Sequence, residues 1–391
     1  MDAYIVKGFR TAVGRAKKGG FRFTRPDDLA VDIIKHLMSS IDGLENNMVD
    51  DVIVGNAVQE AEQGMQMGRM ISLMALGIDT PGMVINRYCG SGLEAIHLAS
   101  AKINAGMADV VIAGGTESMS MVPVMGYKTA LNYNITSEHP DYYTSMGLTA
   151  EQIAQEWKIS RDDQDEFAYN SHMKAVEAQK AGKFKDEILP ITVKETYVED
   201  NKKKTREFTV DTDEGPRPET SKEVLGKLKP VFAAGGSVTA GNSSPTNDGA
   251  AFVVVMSERK VKELGLEPVA RLVSYAAAGV EPRIMGVGPT YAIPKALDRA
   301  GLKINDIDLI ELNEAFAAQS LSVIRDLDLD MSKINVNGGA IALGHPLGST
   351  GARLSITLLN EMRRRNGSKY GMVTACVGGG QGVAGIYEFL K

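Results

Sequence analysis

Apolar residues fall in short continuous runs and in helix-period stripes, and the two kinds of segment recur in one order. Residues 3–11 (AYIVKGFRT) predict a strand, and Leu29, Ile33 and Leu37, at i, i+4 and i+8, predict the helix after it. Residues 270–277 (ARLVSYAA) predict a matching strand, followed by a helix through Tyr291, Ala292 and Leu297. DVIVGNAV (51–58) then matches DIDLIELNEA (306–315), so that Asn56 and Asn313 end equivalent strands. MVINRYCGSGLEAI (83–96) matches INVNGGAIALGHPLGSTGARL (334–354); each predicts a strand, a glycine turn and a helix. Last, ADVVIAGG (108–115) matches GMVTACVGGG (371–380). The order β-α-β-β-α-β thus appears twice.

Residues 120–247 interrupt the pattern. They predict helices at Glu151–Trp157 and Asp162–Gln179, a solvated charged run at Asn201–Arg206 and a turn-rich stretch at Asp211–Pro218. An insertion of this size in a regular scaffold suits a lid or a binding surface.

Composition narrows the class of protein. The chain has 391 residues, enough for two or three units or one composite fold. No apolar run approaches the roughly 20 residues of a membrane span. The start, MDAYIVKGFRTAVG, lacks the basic and apolar regions of a secretory signal, and EFLK at the end carries no evident address. A net charge of −6 argues against nucleic acid as a partner. The two cysteines, Cys89 and Cys376, are too few for a disulfide scaffold or a structural zinc site. No CxxC occurs and the five histidines lie far apart, so a reducing, cytoplasmic setting and no metal are expected.

Four polar residues sit at predicted strand ends or glycine turns. Cys89, in N-R-Y-C-G-S-G-L, lies at a strand-to-helix turn, where free N–H groups and the helix dipole favour a thiolate. A buried structural cysteine fits the same segment. His345, in A-L-G-H-P-L-G-S-T-G, takes nearly the position in the second copy that Cys89 takes in the first. If the two turns face one cleft, they pair a nucleophile with a base; otherwise His345 is a surface-turn histidine. Cys376 ends the strand at Met372–Ala375, and Asn313 follows Leu309–Leu312. A small buried residue and a capping asparagine are the plain alternatives. The match to G-x-G-x-x-G at residues 380–385 leaves no room for a crossover helix and is set aside. His36, His97, His139 and His172 have no partner pattern and read as structural or surface residues.

These motifs resemble those of the thiolase family, acyl-CoA acyltransferases that make or break a carbon–carbon bond. The resemblance runs over essentially the whole chain: NRYCGSGL (86–93), AGGTESMS (113–120), GSVTAGNSSPTNDGAA (236–251), LNEAFAAQ (312–319), NVNGGAIALGHPLGSTGAR (335–353) and CVGGGQG (376–382). It implies an α/β fold of two similar five-stranded halves in αβαβα layers. The halves would be residues 1–119, completed by about 248–268, and 269–391, with a loop domain inserted at 120–247. Cys89 would carry the acyl group, His345 take its proton, and Cys376 act as acid and base at the substrate α-carbon. Asn313, through a water, would hold one oxyanion with His345, and the N–H groups of Cys89 and Gly378 the thioester oxygen. Arg217, Leu228, Phe232 and Ser244 of the insert, with Ala315 and Phe316, would contact coenzyme A. Coenzyme A would be a co-substrate rather than a resident cofactor.

The partners implied are acyl-CoA and CoA, a homodimer or homotetramer, and other β-oxidation enzymes. Arg87-Tyr88 before the nucleophile, M-G-L-T-A-E at 146–151 and Ser145 before it are similar to the degradative 3-ketoacyl-CoA branch. A short-chain acetyl-CoA acetyltransferase is the second reading. A non-catalytic lipid- or CoA-binding protein, or a Cys89–Cys376 redox switch, is more remote, since all the catalytic residues are present.

Overall fold

The computed structural model describes residues 2–390; Met1 and Lys391, the outermost residues of the two expected halves, lie outside the described residues. The first half contains β1 (Ala3–Arg10), β2 (Asp51–Gly55), β3 (Gly82–Ile85), β4 (Val110–Ser118) and β5 (Asn247–Ser257). The second contains β6 (Ala270–Gly279), β7 (Leu309–Leu312), β8 (Tyr370–Val377) and β9 (Gln381–Phe389). The strand order is β3-β2-β4-β5-β1 and then β6-β9-β8-β7, with β1 touching β6 only at Ile5 and Ala270. Parallel pairs β2–β3, β2–β4 and β7–β8 sit beside antiparallel ones in both halves, so the duplicated pattern becomes a duplicated topology.

One expected strand is missing. The second half lacks a counterpart of β3 beyond a single bridge between Ile310 and Ile334. Asn335 turns the chain there with a left-handed φ of 43°. Its side chain replaces the ladder: Oδ1 accepts from Leu312 N at 2.9 Å and Nδ2 donates to Leu312 O at 2.8 Å.

Period-2 alternation assigns each strand face to a different core. On β4, Val110 and Ile112 join a cluster with Leu29, Ile33 and Leu37 of α1 (Pro26–Ser39) and Ile71 of α2 (Met67–Ala75). Val111 and Ala113 turn the other way, toward α3 (Ser91–Asn104) and α6 (Leu347–Arg364). Those two helices also bury Val373 and Val383 of the second half. The far face of that half packs on α4 (Gly288–Ala300) and α5 (Ala317–Asp326). The result is five layers, αβαβα, with α3 and α6 as the shared middle.

Helices at Met146–Glu156 and Arg161–Lys180 occupy the insert, close to expectation. The charged run is exposed, as expected, but not irregular. It begins the second strand of a hairpin, Ile191–Glu199 with Lys202–Val210, around the left-handed pair Asp200 and Asn201. Two consecutive positive φ angles match the twist of a tight hairpin. Ile191, Val193 and Val210 turn inward at one end of the hairpin, whereas the three consecutive lysines lie at its other end, where both faces are exposed.

The middle layer is held by backbone contact. A Cβ on Gly351 would lie 2.2 Å from Leu93 N, and one on Gly92 would lie 2.7 Å from Ala352 N. Neither neighbour is a flexible side-chain end, so the helices would have to part. Gly351→Ala should therefore destabilise the protein by about 1–3 kcal/mol, the usual cost of overpacking. Urea unfolding with an unchanged midpoint would contradict this close approach.

Candidate active site

Cys89 lies in the single tight turn Tyr88–Gly90 between β3 and α3. Tyr88 takes a left-handed φ of 41°, an uncommon conformation for a residue with a side chain. Three hydrogen bonds hold it there: Tyr88 N to Asn86 Oδ1 (2.8 Å), Arg87 N to Ser91 Oγ (2.9 Å) and Ser91 Oγ to Tyr88 O (2.7 Å). The turn rests on the other half, where a Cβ on Gly90 would crowd Val377 and Val383 at 3.1 Å. Arg87 spans the same seam, pairing with Glu94 and donating to Gln381 Oε1 at 2.9 Å.

The backbone N–H groups of Cys89 itself and of Gly378 lie close enough to the Cys89 sulfur to favour its charged form. The structure departs from the thiolate expected at a helix start. Burial is the larger effect and pushes the Cys89 thiol up to about 12, although the two N–H groups pull it down. The negative charge of Glu117 adds to the rise. Cys376, at the end of β8, is fully buried. Its thiol is held well above the ordinary range, first by burial and then by the nearness of the Cys89 sulfur.

His345 follows Gly344, whose φ of 105° and contact with Asn247 leave no room for a side chain. Asn247 Oδ1 accepts from His345 N at 2.9 Å. His345 Nδ1 lies 2.7 Å from Thr350 Oγ1, and that hydroxyl donates to Pro346 O at 2.8 Å. The single hydroxyl hydrogen of Thr350 is committed, so Nδ1 must be the donor and Nε2 carries the lone pair. Nε2 faces Asn313 Nδ2 at 3.3 Å. Burial, helped by the positive charge of Arg353, lowers the imidazole to about 3 and keeps it neutral. Asn313 Oδ1 is buried with no partner among the described residues.

The structure thus gathers Cys89, Cys376, Gly378, Asn313 and His345 at one seam. Leu347, two residues past His345, packs with Cys89, Ala57 and Met119. Ala315 and Phe316 share a cluster with Cys376, Met285 and Met146. Phe232 meets Phe316 edge-on at 6.0 Å, and Ser244 N donates to Ala315 O at 2.9 Å. Leu228 packs beside them on Leu225 and Gly241. Arg217 is exposed, and its backbone N–H donates to His172 Nδ1 at 3.3 Å.

Sequence reasoning passed over Thr350, Asn247 and Glu117, although all three stand inside quoted motifs. The other histidines are packed on aromatic rings or turned to structural bonds: His36 on Phe9, His97 on Tyr275, His139 on Tyr142, and His172 toward Arg217. Residues 381–385 lie within β9, and no helix follows them. Among the described residues, no group of three or more His, Cys, Asp or Glu could hold a metal ion. No helix there is long and apolar enough to cross a membrane.

A thiol, a neutral imidazole whose Nε2 lone pair is met only by Asn313 Nδ2, and N–H groups close to the sulfur, on a duplicated αβαβα scaffold, are an arrangement that can support acyl transfer through a cysteine. Comparison with known proteins agrees. The family description "Thiolase, N-terminal domain" matches residues 3–259, and "Thiolase, C-terminal domain" matches residues 266–389. The chain belongs to the thiolase family. It is 51% identical over 389 residues to a 3-ketoacyl-CoA thiolase of Bacillus subtilis (strain 168), covering 99% of each. It is 46% identical to an acetyl-CoA acetyltransferase of Pseudomonas aeruginosa, covering 98% of each. The crystal structure of the Bacillus anthracis acetyl-CoA acetyltransferase superposes with a TM-score of 0.90 at 41% identity, covering 100% of this chain and 99% of that one.

A thiol near 12 predicts a definite pH response. Alkylation of Cys89 by iodoacetamide should rise about tenfold per pH unit from pH 6 to 9, because the thiolate fraction does. A plateau below pH 8 would reveal a preformed thiolate and contradict the dominance of burial. Cys89, which is only partly buried, should label before the fully buried Cys376, with acyl-CoA protecting it.

Proposed function

We propose that this acyltransferase cleaves 3-ketoacyl-CoA with free CoA, giving acetyl-CoA and a shortened acyl-CoA. The observation that carries the reading is one seam that holds the Cys89 thiol, with the N–H groups of Cys89 and Gly378 close to its sulfur, and a neutral imidazole whose Nε2 lone pair is met by Asn313 Nδ2 at 3.3 Å. Cys89 Sγ attacks the 3-keto carbon as His345 Nε2 takes the thiol proton. The carbonyl oxygen becomes an oxyanion against the N–H groups of Cys89 and Gly378. Such a donor contributes about 3 kcal/mol when well placed. Collapse breaks the bond between the α-carbon and the keto carbon, leaving the acyl group on Cys89 and an acetyl-CoA enolate.

The enolate needs a proton at carbon and a donor at oxygen. Cys376 gives its thiol proton to the α-carbon and becomes a thiolate. Protonated His345 now donates from Nε2 to the enolate oxygen. The unpartnered Asn313 Oδ1 suits a water that donates one hydrogen to it and the other to the same oxygen. CoA then enters, gives its proton to Cys376 and attacks the thioester. Cys89 leaves and recovers its proton from His345, so the cycle balances. CoA is a co-substrate here, held by residues 120–247 through Phe232, Ser244 and Leu228, with Ala315 and Phe316 at the pantetheine and Arg217 near the adenine.

The degradative direction is supported by Arg87-Tyr88 and by the 51% identical relative named 3-ketoacyl-CoA thiolase. A second reading, short-chain acetyl transfer between two acetyl-CoA molecules to make acetoacetyl-CoA, is supported by the 46% identical relative named acetyl-CoA acetyltransferase. Initial rates with 3-ketoacyl-CoAs from about four to sixteen carbons separate the two through kcat/KM. A steep fall beyond the shortest chain would select the second. Two free thiols suit a reducing compartment, and we place the enzyme in the cytoplasm as a homodimer or homotetramer.

The two cysteines should separate by step. Cys376→Ser puts a much less acidic hydroxyl in place of the thiol. That variant should still exchange labelled CoA with acetyl-CoA while losing most cleavage. Cys89→Ala should lose both. His345→Ala should slow acylation by about 100-fold or more, and Asn313→Ala should lower turnover while sparing CoA binding. If Cys376→Ser lost exchange as completely as cleavage while still folded, the division of labour would be wrong.

A further inference from the structure

Glu117 ends β4 with its carboxylate buried at 1% exposure, between the two halves. Oε2 accepts from Ala57 N and from Gly348 N, both at 2.8 Å. Oε1 accepts from Gln63 Nε2 at 2.8 Å and from Asn56 Nδ2 at 3.1 Å. All four partners are donors. A protonated acid would set its O–H against an N–H, so this pocket is built for the carboxylate.

Gly348 is the important partner. It lies in the first turn of α6, three residues after His345. The first N–H groups of a helix need acceptors from outside the helix. Pro346 stands at the cap of α6 and offers no side-chain acceptor. The acceptor comes instead from the half that carries Cys89. The fit is tight, for a Cβ on Gly348 would lie 2.6 Å from Gly55 O and 2.8 Å from Glu117 Oε2. Leu347, between His345 and Gly348, belongs with Ala57 and Met119 to the cluster on which Cys89 packs.

We propose that Glu117 is a positioning residue for acyl transfer: its carboxylate clamps the start of α6, and so the His345 turn, onto the strand ends beside Cys89. The clamp rests on the reading of Cys89 as nucleophile and His345 as base. It has a second consequence through charge. Burial pushes the Glu117 carboxyl up to about 7, so near pH 8 it is mostly the carboxylate, and its charge adds to the burial that keeps Cys89 a neutral thiol until His345 takes its proton. Position and charge can be separated by two substitutions. Glu117→Gln keeps the shape but loses the charge, and its amide must turn N–H groups toward N–H donors. Glu117→Asp keeps the charge but is one methylene short of Gly348.

The experiment measures 3-ketoacyl-CoA cleavage and iodoacetamide labelling of Cys89 near pH 8 on both variants. Glu117→Gln should lose at least about tenfold in kcat with KM within about twofold, while Cys89 labels about threefold faster. Glu117→Asp should lose a similar factor in kcat and label no faster than the unsubstituted protein. Unchanged kcat in Glu117→Gln would overturn the clamp. Equal acceleration of labelling in both variants would also overturn it, because that is the signature of a loosened fold. If Glu117→Gln does not fold, Glu117→Asp decides: full kcat overturns the proposal, and a tenfold loss with unchanged labelling supports it. Cys89→Ala and His345→Ala run alongside. If either cleaves normally, the reading of the site fails. If both are inactive and Glu117→Gln is normal, only the clamp fails.

Discussion

Everything in this molecule depends on two helices whose backbones touch. At Gly92 and Gly351, α3 and α6 approach so closely that a methyl group would meet a backbone nitrogen. Each helix belongs to a different half, and each begins at a reactive turn. Bringing the helix starts together therefore brings Cys89 and His345 to one seam. The strands contribute little to this union, since β1 and β6 pair at a single position. Helix contact sets the site, and the sheets hold the helices at the correct height.

Burial at the seam shapes the chemistry. It raises both thiols and lowers the imidazole, so the groups to which we assign the chemistry are uncharged at rest. On the proposed mechanism, a neutral thiol and a neutral base form charge only as the proton moves. Fixed N–H groups then meet that charge without reorganising. Polar atoms around the centre are mostly committed to other protein groups, as with Thr350 and Pro346 behind the imidazole. The orphan Oδ1 of Asn313 stands out against that background.

The repeat made much of this fold legible. Leu29, Ile33 and Leu37 face one core, and Val111 and Ala113 face another, as their periods require. Two elements were not legible for physical reasons. The lysine-rich stretch at 201–206 reads as solvated, and it is, but as the end of a hairpin that projects with both faces exposed, while the inward-facing residues of that hairpin lie outside the stretch. Residues 334–336 have strand composition, yet Asn335 satisfies Leu312 with its side chain and removes the need for a ladder. Glu117 was invisible for another reason. Its partners come from residues 56, 57, 63 and 348, and no local pattern announces such a meeting.

By itself the sequence determined the duplicated order of elements, the insert, and the residue types at the glycine turns, because periodicity and turn chemistry act over a few neighbouring residues. It also carried the motifs that mark the family. Only the tertiary structure decided which turns share a seam, the tautomer of His345 and the protonation of the thiols. Those follow from burial and from partners far apart in the chain. A helix start alone favours a thiolate; the same turn packed against a second half, with a carboxylate nearby, favours a thiol. Local sequence supplies the first influence, and the packing of α3 on α6 supplies the stronger one.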